Sequence, residues 1–95
     1  MKQAAKFEVE DVSRLGGLGY LVLAKRLDEN EFWLNNSTRL NGVPIRHGDI
    51  PRALDEHGNQ RLDLWGFILL DEADRKRFQV GEIVDLESEP AGEVE

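Results

Sequence analysis

The sequence predicts a mainly β domain, a small antiparallel barrel or strongly bent sheet of five to six strands with one short helical turn. Three observations predict it. The stretch from Arg61 to Leu86, RLDLWGFILLDEADRKRFQVGEIVDL, holds two apolar, strand-like runs parted by a charged interruption. The stretch from Lys6, KFEVEDV, alternates apolar and acidic side chains with the period of two that half-buried strands show. Asn41-Gly42 is a hairpin turn signal, and Pro44 and Pro51 nearby disfavour long central strands.

In chain order, residues 1–5 read as a frayed lead-in, 6–87 as a single β-rich domain and 88–95 as a disordered acidic tail. Phe7 and Val9 oppose Glu8 and Glu10 in the first strand. The glycine-rich RLGGLG, Arg14 to Gly19, leads into GYLVLAKRL, where Tyr20, Val22 and the bounding glycines favour strand over helix. Asp28, Glu29 and Asn30 make a tight turn, and Glu31 to Asn35 is expected to return as the second arm of a hairpin. Asn36 to Gln60 is the least regular region. Within it, Asp49 to Gly58 reads either as a short helix capped by Asp49, giving an α+β fold, or as a turn through Asp55, Glu56, His57 and Gly58. The turn better suits a strand that begins at Arg61.

From position 64 onward both faces of that strand are apolar, as in a barrel wall, and Ile68 is expected in the core. Gly66, between two aromatic residues, marks a bulge or a close backbone approach. Asp71 is placed to cap a short helical turn whose far end carries Arg75, Lys76 and Arg77. Phe78 and Val80 return the chain to the core, Gly81 permits a turn, and Ile83, Val84 and Leu86 form the last strand. The run FQVGEIVDLE, Phe78 to Glu87, resembles the phrase by which SH3-like and translation-factor-like barrels enter a strand. That resemblance implies a barrel of the SH3-like or OB-like kind.

Composition narrows the function classes. Ninety-five residues make one small domain, which buries only about 60 to 65% of the surface its unfolded chain exposes. Hydrophobic residues at 40% and charged residues at 33% are enough to fold a globule. The absence of cysteine excludes disulfides, thiolate metal sites and thiol catalysis, and fits a reducing compartment, so a cytoplasmic location is expected. No apolar run approaches the roughly 20 residues of a membrane helix. A net charge of -7 disfavours broad attraction to nucleic acid or anionic lipid, although residues 87–95 carry four acids and no base, leaving the rest at 15 acidic against 12 basic side chains.

No cofactor or catalytic signature survives inspection. ILLDEADR, Ile68 to Arg75, resembles the metal-binding strand end of DEAD-box helicases, but that chemistry needs a Gly-Lys-Ser/Thr phosphate loop, which the chain lacks. Gly16, Gly17 and Gly19 lack dinucleotide-fingerprint spacing and precede a strand rather than a helix. His47 and His57, with Asp49, Asp55 and Glu56 near them in sequence, outline a metal-dependent hydrolase as one alternative, yet both stand beside glycine where solvated turns are expected. Ser13, Ser37 and Ser88 lie in no nucleophile elbow. The feature above background is the all-arginine basic content of the loop-rich region: Arg39, Arg46, Arg52 and Arg61. With Trp33 or Trp65 exposed beside them, they outline a face for a protein partner or, as another alternative, for a nucleic-acid strand. A non-enzymatic interaction module that recognises a protein partner is the expectation that follows.

Overall fold

A computed structural model describes residues 3–51 and 56–90. Six strands close into an antiparallel barrel: β1 (Gln3–Arg14), β2 (Tyr20–Arg26), β3 (Arg39–Leu40), β4 (Val43–Asp49), β5 (Leu64–Leu69) and β6 (Ile83–Ser88). Around the wall the order is β1-β2-β5-β4-β3-β6, with β6 returning to β1. The expected barrel is therefore the fold, and closure reduces the unpaired sheet edge that a small β domain would otherwise expose.

Local chemistry explains most of the elements. In β1, Ala5, Phe7 and Val9 face inward and are buried, while Lys6, Glu8 and Glu10 face out. A bulge between Val9 and Asp11 then lets β1 keep pairing with β2, and Val12 opposes Val22. Asn41 and Gly42 both adopt positive φ, 54° and 83°, the geometry of the tight two-residue turn that their sequence signals between β3 and β4. Asp71 caps the 3-10 helix Glu72–Arg77 by accepting the Ala73 N–H at 2.9 Å, and Arg75, Lys76 and Arg77 close it. Glycine at 81, with φ of 92°, turns the chain into β6.

The core holds Phe7, Val9, Val22, Ala24, Leu40, Phe67, Leu69, Phe78, Val84 and Leu86. Four aromatic rings run through one end of it. Phe7 meets Phe67 edge-on at 5.4 Å and Phe32 at 5.5 Å, Phe32 meets Trp65 at 5.1 Å, and Trp65 stacks on Phe67 at 6.3 Å.

Several expectations are corrected. Strand β1 starts at Gln3, not Lys6, because Gln3 to Glu8 pair with Ser88 to Ile83 and Ala5 is fully buried. Ser88 belongs to β6 and is itself buried, so the folded part runs past position 87; residues 91–95 of the expected tail lie outside the described residues. Glu31 to Asn35 is not a hairpin arm, since β1 and β5 already occupy the two sides of β2. Strand β5 starts at Leu64 rather than Arg61. Ile68 is only half-buried on the outer face, opposite Leu21 and His47, and Phe67 and Leu69 hold the inner face.

Gly66 carries no bulge, because its register with β2 and β4 runs on unshifted. Its missing side chain instead makes room for Leu21 and Leu23, whose methyls would stand 3.2 and 3.5 Å from a Cβ there. The helix of the α+β alternative lies partly at 52–55, outside the described residues; its proposed cap, Asp49, is the last residue of β4. Among the described residues there is no α-helix, and no helix is long and apolar enough to cross a membrane.

Candidate functional site

Residues 27–38, between β2 and β3, cross one end of the barrel without joining its sheet. Side-chain bonds to main chain hold them there. The Arg26 guanidinium donates to the carbonyls of Asp28 at 2.8 Å and Asn30 at 2.6 Å and lies 5.2 Å over the Phe32 ring. Asn30 Nδ2 donates to the Ala4 carbonyl at 3.1 Å, and Asp28 Oδ2 accepts the Lys6 N–H at 3.1 Å, which fixes the turn to β1. Further along, Trp33 N–H donates to Ser88 Oγ at 2.9 Å. The buried Thr38 Oγ1 donates to the Trp33 carbonyl at 2.6 Å and accepts the Asn35 N–H at 2.9 Å.

Two side chains of this segment plug the barrel end. Phe32 enters between Phe7 and Trp65, and Leu34 lies over β4 at Gly48. A Cβ at 48 would sit 3.1 Å from both Leu34 Cδ1 and Phe67 Cδ1, a tight contact that the exposed Leu34 or the buried Phe67 ring would have to relieve by a few tenths of an ångström.

On one side of the plug lies a groove of about 450 Å³ lined by Arg26, Glu31, Phe32, Trp33, Leu34 and Trp65. On the other is a cleft of about 320 Å³ whose lining includes Asn35, Asn36, Ile45, Arg46 and His47, with Leu34 shared between the two. Leu34 stays 41% exposed at this junction. The backbone N–H and C=O groups of Glu31, Phe32 and Leu34 make no hydrogen bond among the described residues, whereas Trp33, between them, is bonded inward to Ser88 and Thr38. Trp65 Nε1 is out of solvent and has no acceptor among the described residues.

The residues singled out from sequence divide accordingly. Trp33 and Trp65 come together in one groove, and Arg46 lines the adjoining cleft. Arg39 Nη1 donates to the carbonyls of Asn36 and Thr38, at 3.0 and 2.9 Å. Arg61 is engaged on β1: both terminal nitrogens reach Glu10 at 3.1 Å, and its Nε reaches Asp63 at 3.2 Å. Those bonds raise the Arg61 pKa above its already high value, first through Glu10, and lower the Asp63 carboxyl through its bond to Arg61. Arg52 lies outside the described residues.

His47 is exposed on β4 and His57 is exposed in a turn beside Glu56. The described residues assemble no group of three or more His, Cys, Asp or Glu side chains able to hold a metal ion.

Sequence reasoning missed Arg26, Glu31, Phe32 and Leu34 as parts of the site. Their signal was the run Phe32-Trp33-Leu34 bounded by Asn30 and by Asn35-Asn36. Three consecutive large apolar side chains cannot all face inward from an edge strand, so at least one must meet solvent. Compared with known protein families, curated proteins and solved structures, the chain matches none.

Proposed function

We propose that the chain is a non-enzymatic binding module that recognises a protein partner through the face built on residues 31–36. The observation that carries this reading is the unpaired main chain at Glu31, Phe32 and Leu34, set beside the groove that Trp33, Leu34 and Trp65 line. Half-buried tryptophans and the exposed Leu34 supply the apolar anchors that protein interfaces concentrate, and free backbone groups supply directional bonds. Main-chain groups of this kind are satisfied by another polypeptide more readily than by bases.

The nucleic-acid alternative draws less support, because Arg61 is paired with Glu10, and Arg46 is the one of the singled-out arginines that lines the cleft among the described residues. A cysteine-free domain suits work in a reducing compartment, and we place the activity in the cytoplasm.

The reading is tested by affinity capture from the source cell with the wild-type chain and with Trp33→Ala, matched for melting temperature. A protein partner retained by the wild type and lost by the variant is the expected outcome. Equal capture by both removes the face from consideration. Binding of a labelled single-stranded oligonucleotide at low salt that disappears in Arg46→Ala transfers the function to nucleic acid.

A further inference from the structure

Resting on the protein-binding reading above, we propose that the groove takes an extended peptide segment carrying a basic side chain, its backbone paired along residues 31–34. Geometry supplies the first argument. Trp33 turns its main-chain groups inward to Ser88 and Thr38, while those of Phe32 and Leu34 on either side of it have no partner among the described residues. A strand laid alongside meets donors and acceptors at alternate residues, the pattern by which an extended peptide adds to a β edge. In the wall each strand has a neighbour on both sides over at least part of its length, although β3 covers only Val43 and Pro44 of β4.

The second argument is the indole of Trp65. Its N–H can only donate, and its burial without an acceptor leaves a polar group whose desolvation nothing yet repays. The ring is part of the groove wall, beside the exposed Leu34. A carbonyl of the added peptide, admitted as the groove side chains turn aside, provides the acceptor that the chain itself does not.

Charge selects among extended peptides. Glu29 and Glu31 are exposed on the segment that leads into the groove, Glu89 is exposed where Asn35 and Ser37 bind its main chain, and none of the three carboxylates has an ion pair among the described residues. Against them stand Arg26, which keeps its charge while it donates to two neutral carbonyls and lies over the Phe32 ring, and Arg46 in the adjoining cleft; Lys6 is paired with Asp85 at 2.8 Å. The carboxylates of Glu29, Glu31 and Glu89 outnumber the guanidinium groups of Arg26 and Arg46, so lysine or arginine on the incoming segment is favoured over aspartate or glutamate.

The test uses two immobilised pools of acetylated, amidated nonapeptides with randomised flanks, one with lysine fixed at the centre and one with glutamate. The wild-type chain should be retained on the lysine pool about tenfold more strongly, a margin of the size that rim charges impose. Adding the lysine pool to ¹⁵N-labelled protein should move the amides of Phe32 and Leu34 and shift the Trp65 indole proton downfield. Glu31→Lys, an exposed change that leaves the melting temperature in place, should erase the preference.

Equal retention on both pools, retention on neither, or shifts confined to other residues overturns the proposal. These results are separable from a failure of the parent reading. If Trp33→Ala still abolishes partner capture while the lysine pool shows no preference, only the class of occupant is wrong. If Trp33→Ala captures the partner as well as the wild type does, the face itself is wrong.

Discussion

The barrel wall and the segment at 27–38 solve the same problem, satisfying the backbone while burying aromatic rings, in opposite ways. In the wall each strand bonds to two neighbours, and inward side chains such as Phe7, Val22 and Phe67 are fully buried. The segment joins no sheet. It is held by side chains acting on main chain, namely Arg26, Asn30, Thr38 and Ser88, and it leaves Glu31, Phe32 and Leu34 unbonded among the described residues. A wall built from repeated ladder bonds is cooperative and spends most of its main-chain groups internally. A segment pinned at separate points retains unused bonding capacity, which is why the proposed binding face is assigned to it.

The largest test of this contrast is Phe67→Ala. Removing that ring strips Phe7 and Trp65 of their contacts, and a buried aromatic truncation costs about 3 to 5 kcal/mol, much of the stability of a domain this small. Urea denaturation followed by circular dichroism should show a global loss. A midpoint close to wild type would mean that the plug, not the wall, carries the fold.

Thr38→Val should do less, and should act locally. The hydroxyl serves both the Trp33 carbonyl and the Asn35 N–H, so its loss costs about 1 to 3 kcal/mol. Hydrogen exchange should quicken at Asn35 while β5 amides keep their protection. Uniform quickening would make wall and segment one cooperative unit and dissolve the distinction.

The smallest effect belongs to Arg61 on the outside of the wall. Asp63 has a folded pKa below its unfolded value because Arg61 holds it ionised. Its contribution is thus fully present above about pH 3.9 and is lost as pH falls through the lower folded value. With Asp63 41% and Arg61 24% exposed, screening keeps the contribution under about 1 kcal/mol. Arg61→Met should flatten that part of the acid limb in urea midpoints measured across pH. An unchanged limb would show that the pair contributes no pH-dependent stability. Lys6 acts with the opposite sign: its pKa is raised by its bond to Asp85, so its contribution holds below the ordinary lysine value and fades as pH rises through the folded one.

Elements whose causes are local were legible. The Asn41-Gly42 turn, the Asp71 cap with its trailing Arg75, Lys76 and Arg77, and the alternation of Phe7 and Val9 each rest on chemistry within a few residues. The site was legible only in its tryptophans. Trp33 and Trp65 stand 32 positions apart in the chain, and nothing in either neighbourhood states that Phe32 slots between Trp65 and Phe7. The arginines misled for the same reason. Arg61 looked available until folding brought Glu10 across to meet it, 51 positions away.

The sequence by itself determined a cysteine-free, mainly β domain, its turns, the inward set of β1 and the capped 3-10 helix, because period, capping and turn geometry are properties of short stretches. Only the tertiary structure decided that Phe32-Trp33-Leu34 plugs a barrel instead of forming a hairpin arm. That outcome depended on β5 occupying the side of β2 that the arm would have needed, and no local pattern at 31–35 contains that information. The same long-range pairing left the backbone at 31–34 without partners, and so created the face proposed to bind.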